Sequence, residues 1–212
     1  MPTLAEFHTL VKNELNKGSS LDTYIPGKVR QAARQLEDNY EFDFNKIFEN
    51  LVLTASDTNT YPLPTNFKSM IFIRLDYDDE EDYRYLTKVD PRQVTSVLSA
   101  TTVDPRPVAW WRSGATTIFF DAHFSASTAL DWQYNRYTAW PTTASDYTQS
   151  PTLIEKAEVA LLCNTMILFG PFLRNQELHQ QYKDTFADAL RILTGSQMTN
   201  EQGGASPKME YK

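Results

Sequence analysis

The chain has 212 residues, of which 41% are hydrophobic and 22% charged, with a net charge of −7 and a pI of about 5.0. This composition supports a folded protein with a real core and excludes disorder along most of the chain. It argues against a protein that grips nucleic acid directly, since such proteins usually carry a basic face, although an acidic wall would let DNA pass without sticking.

Cysteine content and hydropathy limit where the protein works. Cys163 is the single cysteine, so no intrachain disulfide can form, which fits a reducing compartment. The first fifteen residues lack the apolar segment of a signal peptide. The most apolar stretch, residues 159–169, is shorter than the roughly 20 residues that span a bilayer. We therefore expect a soluble protein, made in the cytoplasm and without membrane contact.

Two helices are predicted at the N-terminus. Thr3 and Glu6 have the spacing of a capping box, and apolar residues then recur at helical spacing as far as Leu15. Gly18 ends this helix, and Pro26 can occupy the first turn of the next one. The predicted inner stripe of the second helix is Val29, Ala32, Ala33 and Leu36.

Strand signals dominate the middle of the chain. The predicted strands are residues 51–54, 60–64, 69–75, 83–86, 108–112, 116–121 and 130–137. Residues 60–64 are expected to return along 51–54, and their prolines place them at a sheet edge. Gly114 lies in a clear hairpin turn. Asp90 can cap a short helix with Val94, Val97 and Leu98 on its inner side.

Two further helices are predicted near the C-terminus. Residues 153–169 are apolar almost all round, which predicts a helix buried on most sides and ended by Gly170-Pro171. Asn175 can cap the last helix, which is expected to end near Thr194. The apolar stripe on that helix is Leu178, Tyr182, Phe186, Ala189, Leu190 and Leu193.

The predicted fold class is α+β. Residues 1–48 and 150–195 form an α-helical bundle from the N-terminal helix pair and the two C-terminal helices. Residues 49–149 form a central β-rich insertion of antiparallel hairpins. Residues 196–212 form an extended C-terminal tail without a core of its own.

Signs of catalysis are few. No nucleophile elbow, P-loop or dinucleotide fingerprint occurs, and only seven glycines exist. Asp121 and His123 could share one face of a strand, and with Asp79 they would suit a metal-dependent hydrolase. A metal needs three or four ligands, so capping of a strand end is the favoured interpretation. We therefore predict no enzyme activity, no metal and no cofactor.

An acidic run is the densest charge feature. Its core is Asp78, Asp79, Glu80, Glu81 and Asp82. The run lacks the alternation and the glycine of a calcium loop, so a solvated hairpin tip is favoured. The functional alternative is a loop that faces a DNA passage or a basic partner.

Tryptophans cluster in the β-rich region. All four are present there: Trp110, Trp111, Trp132 and Trp140. Aromatic side chains on a sheet can stack single-stranded bases, which keeps a single-stranded nucleic-acid-binding protein as an alternative. The favoured interpretation is core packing plus a subunit or tail interface. Adjacent strand residues face opposite sides, so we expect a neighbouring subunit to cover Trp110 or Trp111.

The order of these elements resembles the head-to-tail adaptor (connector) proteins of tailed bacteriophages, particularly short-tailed phages. Residues 61–67, Tyr-Pro-Leu-Pro-Thr-Asn-Phe, are similar to the Y-x-L-P-x-[DN]-F step before a strand in that family. Leu86 and Asp90-Pro91 are similar to its entry to a short helix. Tyr182 and Ala189-Leu190 match the last helix.

The resemblance implies a structural virion protein in the neck between head and tail. Such adaptors form a ring, commonly of twelve subunits, below the portal protein and above tail or nozzle proteins. The ring lines the channel for DNA packaging and ejection, and genomic DNA passes through without specific binding. Adaptor tails often reach the portal, which makes Lys208, Met209, Glu210 and Tyr211 the candidate portal contacts.

Overall fold

The computed structural model describes residues 1–53, 60–75, 84–90, 92, 107–121, 128–141 and 144–201, with side chains in the last helix described as far as 195. The chain divides into two compact units. The helical unit comprises Met1–Asn45 and Thr138–Lys212, and the β unit comprises Lys46–Tyr137. Each unit has its own core. The predicted α+β class, a helical bundle whose sequence is interrupted by a β-rich insertion, is confirmed.

Four helices build the helical unit: α1 (Leu4–Leu15), α2 (Ile25–Asn39), α3 (Thr152–Phe172) and α4 (Gln176–Glu201). The capping box of α1 is confirmed, because the Thr3 hydroxyl accepts from the Glu6 amide and the Glu6 carboxylate accepts from the Thr3 amide. Asn175 caps α4 as predicted, with its side chain accepting from the Leu178 amide at 3.1 Å. Local sequence signals thus define where these helices begin.

The helical core follows the predicted stripes. Val29, Ala32, Ala33 and Leu36 of α2 are all buried, and the apolar stripe of α4 packs against the same cluster. Asn164 of α3 lies in this core and donates to the Ala32 carbonyl at 2.8 Å. That bond satisfies the amide and fixes α3 against α2.

Both C-terminal helices run further than predicted. Helix α3 continues through Gly170-Pro171 to Phe172, because the Ile167 carbonyl that Pro171 has no N–H to bond is instead hydrogen-bonded by the His179 ring of α4 at 3.1 Å. Gly170 is needed there, since a Cβ on it would lie 2.6 Å from the His179 Cβ. Helix α4 continues past Thr194 to Glu201, so the predicted extended tail does not begin at Ser196. A glycine costs only about 1 kcal/mol relative to alanine inside a helix, so Gly195 does not end it.

The β unit contains eight strands among the described residues. They are β1 (Lys46–Leu53), β2 (Thr60–Pro62), β3 (Phe67–Leu75), β4 (Arg84–Tyr85), β5 (Thr87–Lys88), β6 (Ala109–Ser113), β7 (Thr117–Phe120) and β8 (Thr128–Arg136). One sheet has the order β1-β8-β3-β4 and the other β2-β7-β6-β5. The hairpin of β6 and β7 is as predicted, with Gly114 at a φ of 69° in its turn.

One predicted strand pairing is wrong. Strand β2 does not return along β1 but pairs with β7, with Tyr61 opposite Ile118, while β1 pairs with β8 along its whole length. The edge position of β2 is correct. Strand β5 runs parallel to β6, an exception to the antiparallel expectation. Sequence order alone favours neighbouring strands, whereas the burial of Leu51 opposite Leu130 stabilises the long-range pair.

Candidate functional site

Three of the predicted tryptophan site residues lie in the β unit and are buried. Trp110, Trp111 and Trp132 are 5%, 6% and 2% exposed. Trp111 stacks on Phe119 with ring centroids 5.7 Å apart, and the Trp132 indole nitrogen donates to the Glu49 carboxylate at 3.3 Å. The chain itself therefore covers both adjacent tryptophans, which corrects the expectation that a neighbouring subunit does so.

The fourth tryptophan belongs to the other unit. Trp140 belongs to the helical unit, where its partly buried ring packs against the core. Among the four tryptophans, only Trp140 therefore keeps part of its ring available to a partner.

Several predicted features lie outside the described residues. These are the acidic run Asp78, Asp79, Glu80, Glu81 and Asp82, the tail residues Lys208, Met209, Glu210 and Tyr211, the short-helix residues Val94, Val97 and Leu98, and His123. Their predicted roles stay predictions.

The described residues with catalytic potential have structural partners. The Asp121 carboxylate accepts from the backbone amides of Val108 and Ala109 at 2.9 and 3.0 Å, where it holds the start of β6. Cys163 is buried, and burial raises the pKa of its thiol, which disfavours the reactive thiolate. Across the described ranges, no three histidine, cysteine or acidic residues are grouped as metal ligands. No helix within those ranges is both long and apolar enough to cross a membrane.

An aromatic surface lies on the open face of the β1-β8-β3-β4 sheet. We name it the outer sheet face, and its members are Phe48, Asn50, Val52, Phe72, Arg74, Tyr85 and Asp131. The Phe48 and Phe72 ring centroids are 6.4 Å apart, and those of Phe72 and Tyr85 are 5.5 Å apart. Phe48, Val52 and Tyr85 are more than half exposed. This face is a candidate contact surface for a protein partner.

Charge on the outer sheet face is balanced. The Arg74 guanidinium lies 2.8 Å from the Asp131 carboxylate and within 6 Å of the Phe48 and Phe72 ring centroids. Asn50 donates to the other oxygen of Asp131 at 3.1 Å. Because Arg74 is already paired, this face offers aromatic contact area but little positive charge for a phosphate backbone.

Two further surfaces occur on the helical unit. The helical groove, of about 400 Å³, lies between α3 and α4 and is lined by residues 155–160, Ala189, Ile192 and Leu193. The aromatic patch consists of Tyr24, Lys28 and Phe172, with the two ring centroids 5.1 Å apart and the Lys28 ammonium 5.4 Å from the Phe172 centroid. Both surfaces expose apolar side chains, as docking surfaces do.

The comparison with protein families decides the identity. A family model described as SU10 adaptor protein matches residues 2–207, which is almost the whole chain. The chain belongs to the SU10 adaptor protein family. No curated protein matches the sequence closely enough to count as a relative. The predicted resemblance to phage head-to-tail adaptors is thereby confirmed.

Membership gives the adaptor a structural role in a phage virion, in association with phage head and tail proteins. The three surfaces are therefore candidate contact sites for proteins. Sequence reasoning missed the helical groove, because Val159 lies in a stretch predicted to be buried on most sides and Ile192 lies beside the predicted stripe of α4, yet the two are 58% and 71% exposed. The small residues Ala157, Ala160 and Ala189 beneath them were the available signal for a groove.

Proposed function

We propose that this adaptor is one subunit of a twelve-subunit ring that joins the portal to the tail and lines the DNA channel. Family membership over residues 2–207 is the observation that carries the proposal. The ring sits in the neck of the virion and is assembled in the host cytoplasm.

Exposed apolar side chains support a role in a larger assembly. Phe48, Val52 and Tyr85 of the β unit and Val159, Phe172 and Ile192 of the helical unit are each at least 43% exposed. Single exposed apolar residues are ordinary, but grouped ones mark surfaces that partner proteins cover. A subunit with neighbours on two sides and a tail protein below would cover several such groups.

The charge of the chain supports passage of DNA without specific binding. A net charge of −7 repels the phosphate backbone and prevents sticking. In this proposal, the acidic run at 78–82 faces the channel or a basic partner protein. The role is structural, so the adaptor needs no catalytic residue and no cofactor.

The C-terminal residues are proposed to contact the portal. Met209 and Tyr211 would supply apolar anchors, and Lys208 and Glu210 would supply charged contacts. A segment that folds onto its partner gives up conformational entropy but wraps a large surface. Among the tryptophans, Trp140 is the one best suited to an interface with a subunit or a tail protein, since its ring is only partly buried.

The alternative, single-stranded nucleic-acid binding, has less support. Stacking on bases needs exposed rings and a basic groove. The rings of Trp110, Trp111 and Trp132 are at most 6% exposed, and Arg74 beside the exposed phenylalanines is paired with Asp131.

Electron microscopy of the purified chain mixed with the portal protein from its own genome tests the proposal. We expect a ring of adaptor subunits seated on the portal, and we expect a chain truncated before Lys208 to bind it more weakly. A chain that stays monomeric and never binds the portal would contradict the proposal.

A further inference from the structure

The helical groove is an acidic-rimmed apolar surface. Ala157 has φ −137° and ψ 32°, outside the helical region, so α3 is irregular where it borders the groove. The small side chains of Ala157, Ala160 and Ala189 leave the volume of about 400 Å³ between the two helices open. Pockets of about 300–1,000 Å³ can bury a drug-sized molecule, so this groove is large enough for an aromatic side chain.

Apolar and acidic groups border that volume. Val159 and Ile192 stand at its edge, 58% and 71% exposed. Glu155 and Glu158 also line it, with Lys156 as the one cation in the lining. The nearby pair of Asp188 and Arg191, 3.4 Å apart on α4, adds no net charge. The groove therefore suits an occupant with an apolar centre and a positive charge.

The aromatic patch of the same unit has those properties. Tyr24 and Phe172 are 50% and 43% exposed, and their rings pack against each other. The Lys28 ammonium lies over the Phe172 ring, and no carboxylate of the described residues pairs with it. Asp22, which lies nearby in sequence, is already paired with Lys12 at 2.7 Å, so it does not cancel this charge.

The two surfaces cannot meet within one copy. Val159 and Phe172 both lie on α3, thirteen residues apart, which corresponds to about 20 Å along the helix and about 140° around it. Two complementary surfaces at different places on one subunit form a head-to-tail contact, and such contacts close into rings when the rotation permits.

We propose that the aromatic patch of one copy of this adaptor docks into the helical groove of the next copy. Phe172 and Tyr24 contact Val159 and Ile192 of the neighbour, while Lys28 lies against Glu155 and Glu158. The inference rests on the proposed ring and names the surfaces that join its subunits.

A complementation experiment with the full chain tests this contact. Variant G carries Val159→Ser and Ile192→Ser, which remove the groove's apolar edge, and variant P carries Phe172→Ser. The control is Ile71→Ser, which changes a residue of the β unit that is 42% exposed and belongs to none of the three surfaces. Circular dichroism verifies that each variant folds, and sedimentation velocity over a concentration series measures association with and without the portal protein.

We expect wild type and the control to form assemblies larger than a dimer. G alone or P alone should reach the same degree of association only at a protein concentration at least tenfold higher. Mixing G with P should give dimers and nothing larger, because P's groove accepts the patch of G but the other two surfaces are damaged. Lys28→Glu should also weaken association, and Glu158→Lys should partly restore it in the double variant.

The inference is overturned if G alone and P alone both assemble at the same concentrations as wild type. It is also overturned if the wild-type chain stays monomeric at every concentration, with the portal protein and without it. The proposed function is judged separately. Rings of G and P on the portal would reject only the contact, whereas copy-to-copy assembly without portal binding would reject only the head-to-tail role.

Discussion

The two units place their charged side chains differently. In the helical unit, the buried carboxyl group of Glu37 lies where the chain passes into and out of the β unit, whereas in the β unit an ion pair lies on the outer sheet face. Glu37, 2% exposed, accepts from the Asn45 side chain at 3.0 Å and from the Thr138 amide at 2.7 Å. Arg74 and Asp131 lie on the outer sheet face, with side chains 20% and 10% exposed. The first arrangement fixes backbone positions, and the second fixes a contact surface.

The cores differ as well. The helical core is mostly aliphatic with a few phenylalanines, whereas the β core contains Trp110, Trp132 and Tyr134. Three of the four tryptophans therefore belong to the β unit. Tryptophan fluorescence reports mainly on the β unit, and helical circular dichroism reports mainly on the helical unit. This difference allows the two units to be followed separately.

A matched pair of leucine truncations should have the largest effect. Leu130 in the β core and Leu161 in the helical core are both 0% exposed, so Leu130→Ala and Leu161→Ala should each cost about 3 kcal/mol. We expect Leu130→Ala to lower the fluorescence transition in denaturant and Leu161→Ala to lower the dichroism transition. Equal shifts of both probes in both variants would show that the two units unfold as one.

Removal of the Glu37 carboxylate should have the next largest effect. Glu37→Ala leaves the Thr138 amide and the Asn45 side chain without this acceptor, at a cost of about 2 kcal/mol in the helical transition. Glu37→Gln is the control, because its amide oxygen can still accept from the Thr138 amide, and it should lose less than half as much. Equal losses in the two variants would mean that charge, not the hydrogen bonds, carries the effect.

The smallest expected effect is a pH dependence in the helical unit. Tyr182 donates to the Glu14 carboxylate at 2.7 Å, and burial together with this contact raises the pKa of Tyr182 to about 12. An unfolded tyrosine titrates near pH 10, so the stabilisation is present below about pH 10 and is lost as pH rises toward 12.

Denaturant midpoints between pH 8 and pH 11.5 measure this dependence. Wild type should lose helical stability more steeply above pH 10 than Tyr182→Phe, which has no proton to lose at that position. The same slope in both proteins would contradict the prediction.

The sequence predicted the helical unit better than the β unit for a physical reason. A capping box such as Thr3 with Glu6, or a stripe such as Val29 to Leu36, depends on residues within one or two turns of each other. The pairing of β1 with β8 joins Leu51 to Leu130, and no local pattern encodes a partner so distant in sequence.

The candidate surfaces were the hardest part to predict. Val159 lies in a stretch that is apolar almost all round and Ile192 lies beside the apolar stripe of α4, so only the packing of α3 against α4 reveals how exposed they are. For the tryptophans the error was the reverse. Their number favoured an exposed interface, but three of them are buried in the fold. Composition identifies the aromatic and apolar residues that could contact a partner, but three-dimensional packing decides which of them remain exposed to it.

The hydrogen bonds of the Glu37 carboxylate also bear on how the sequence of such a chain can change in evolution. The Asn45 side-chain amide and the Thr138 backbone amide donate to the same Glu37 oxygen, so the residues where the chain leaves and re-enters the helical unit are close neighbours. A segment whose ends are neighbours can be lengthened, shortened or exchanged while the host core stays closed, since joining near ends costs little loop entropy. The helical unit can thus act as a constant frame, and the inserted region as a module that can be replaced without disturbing it.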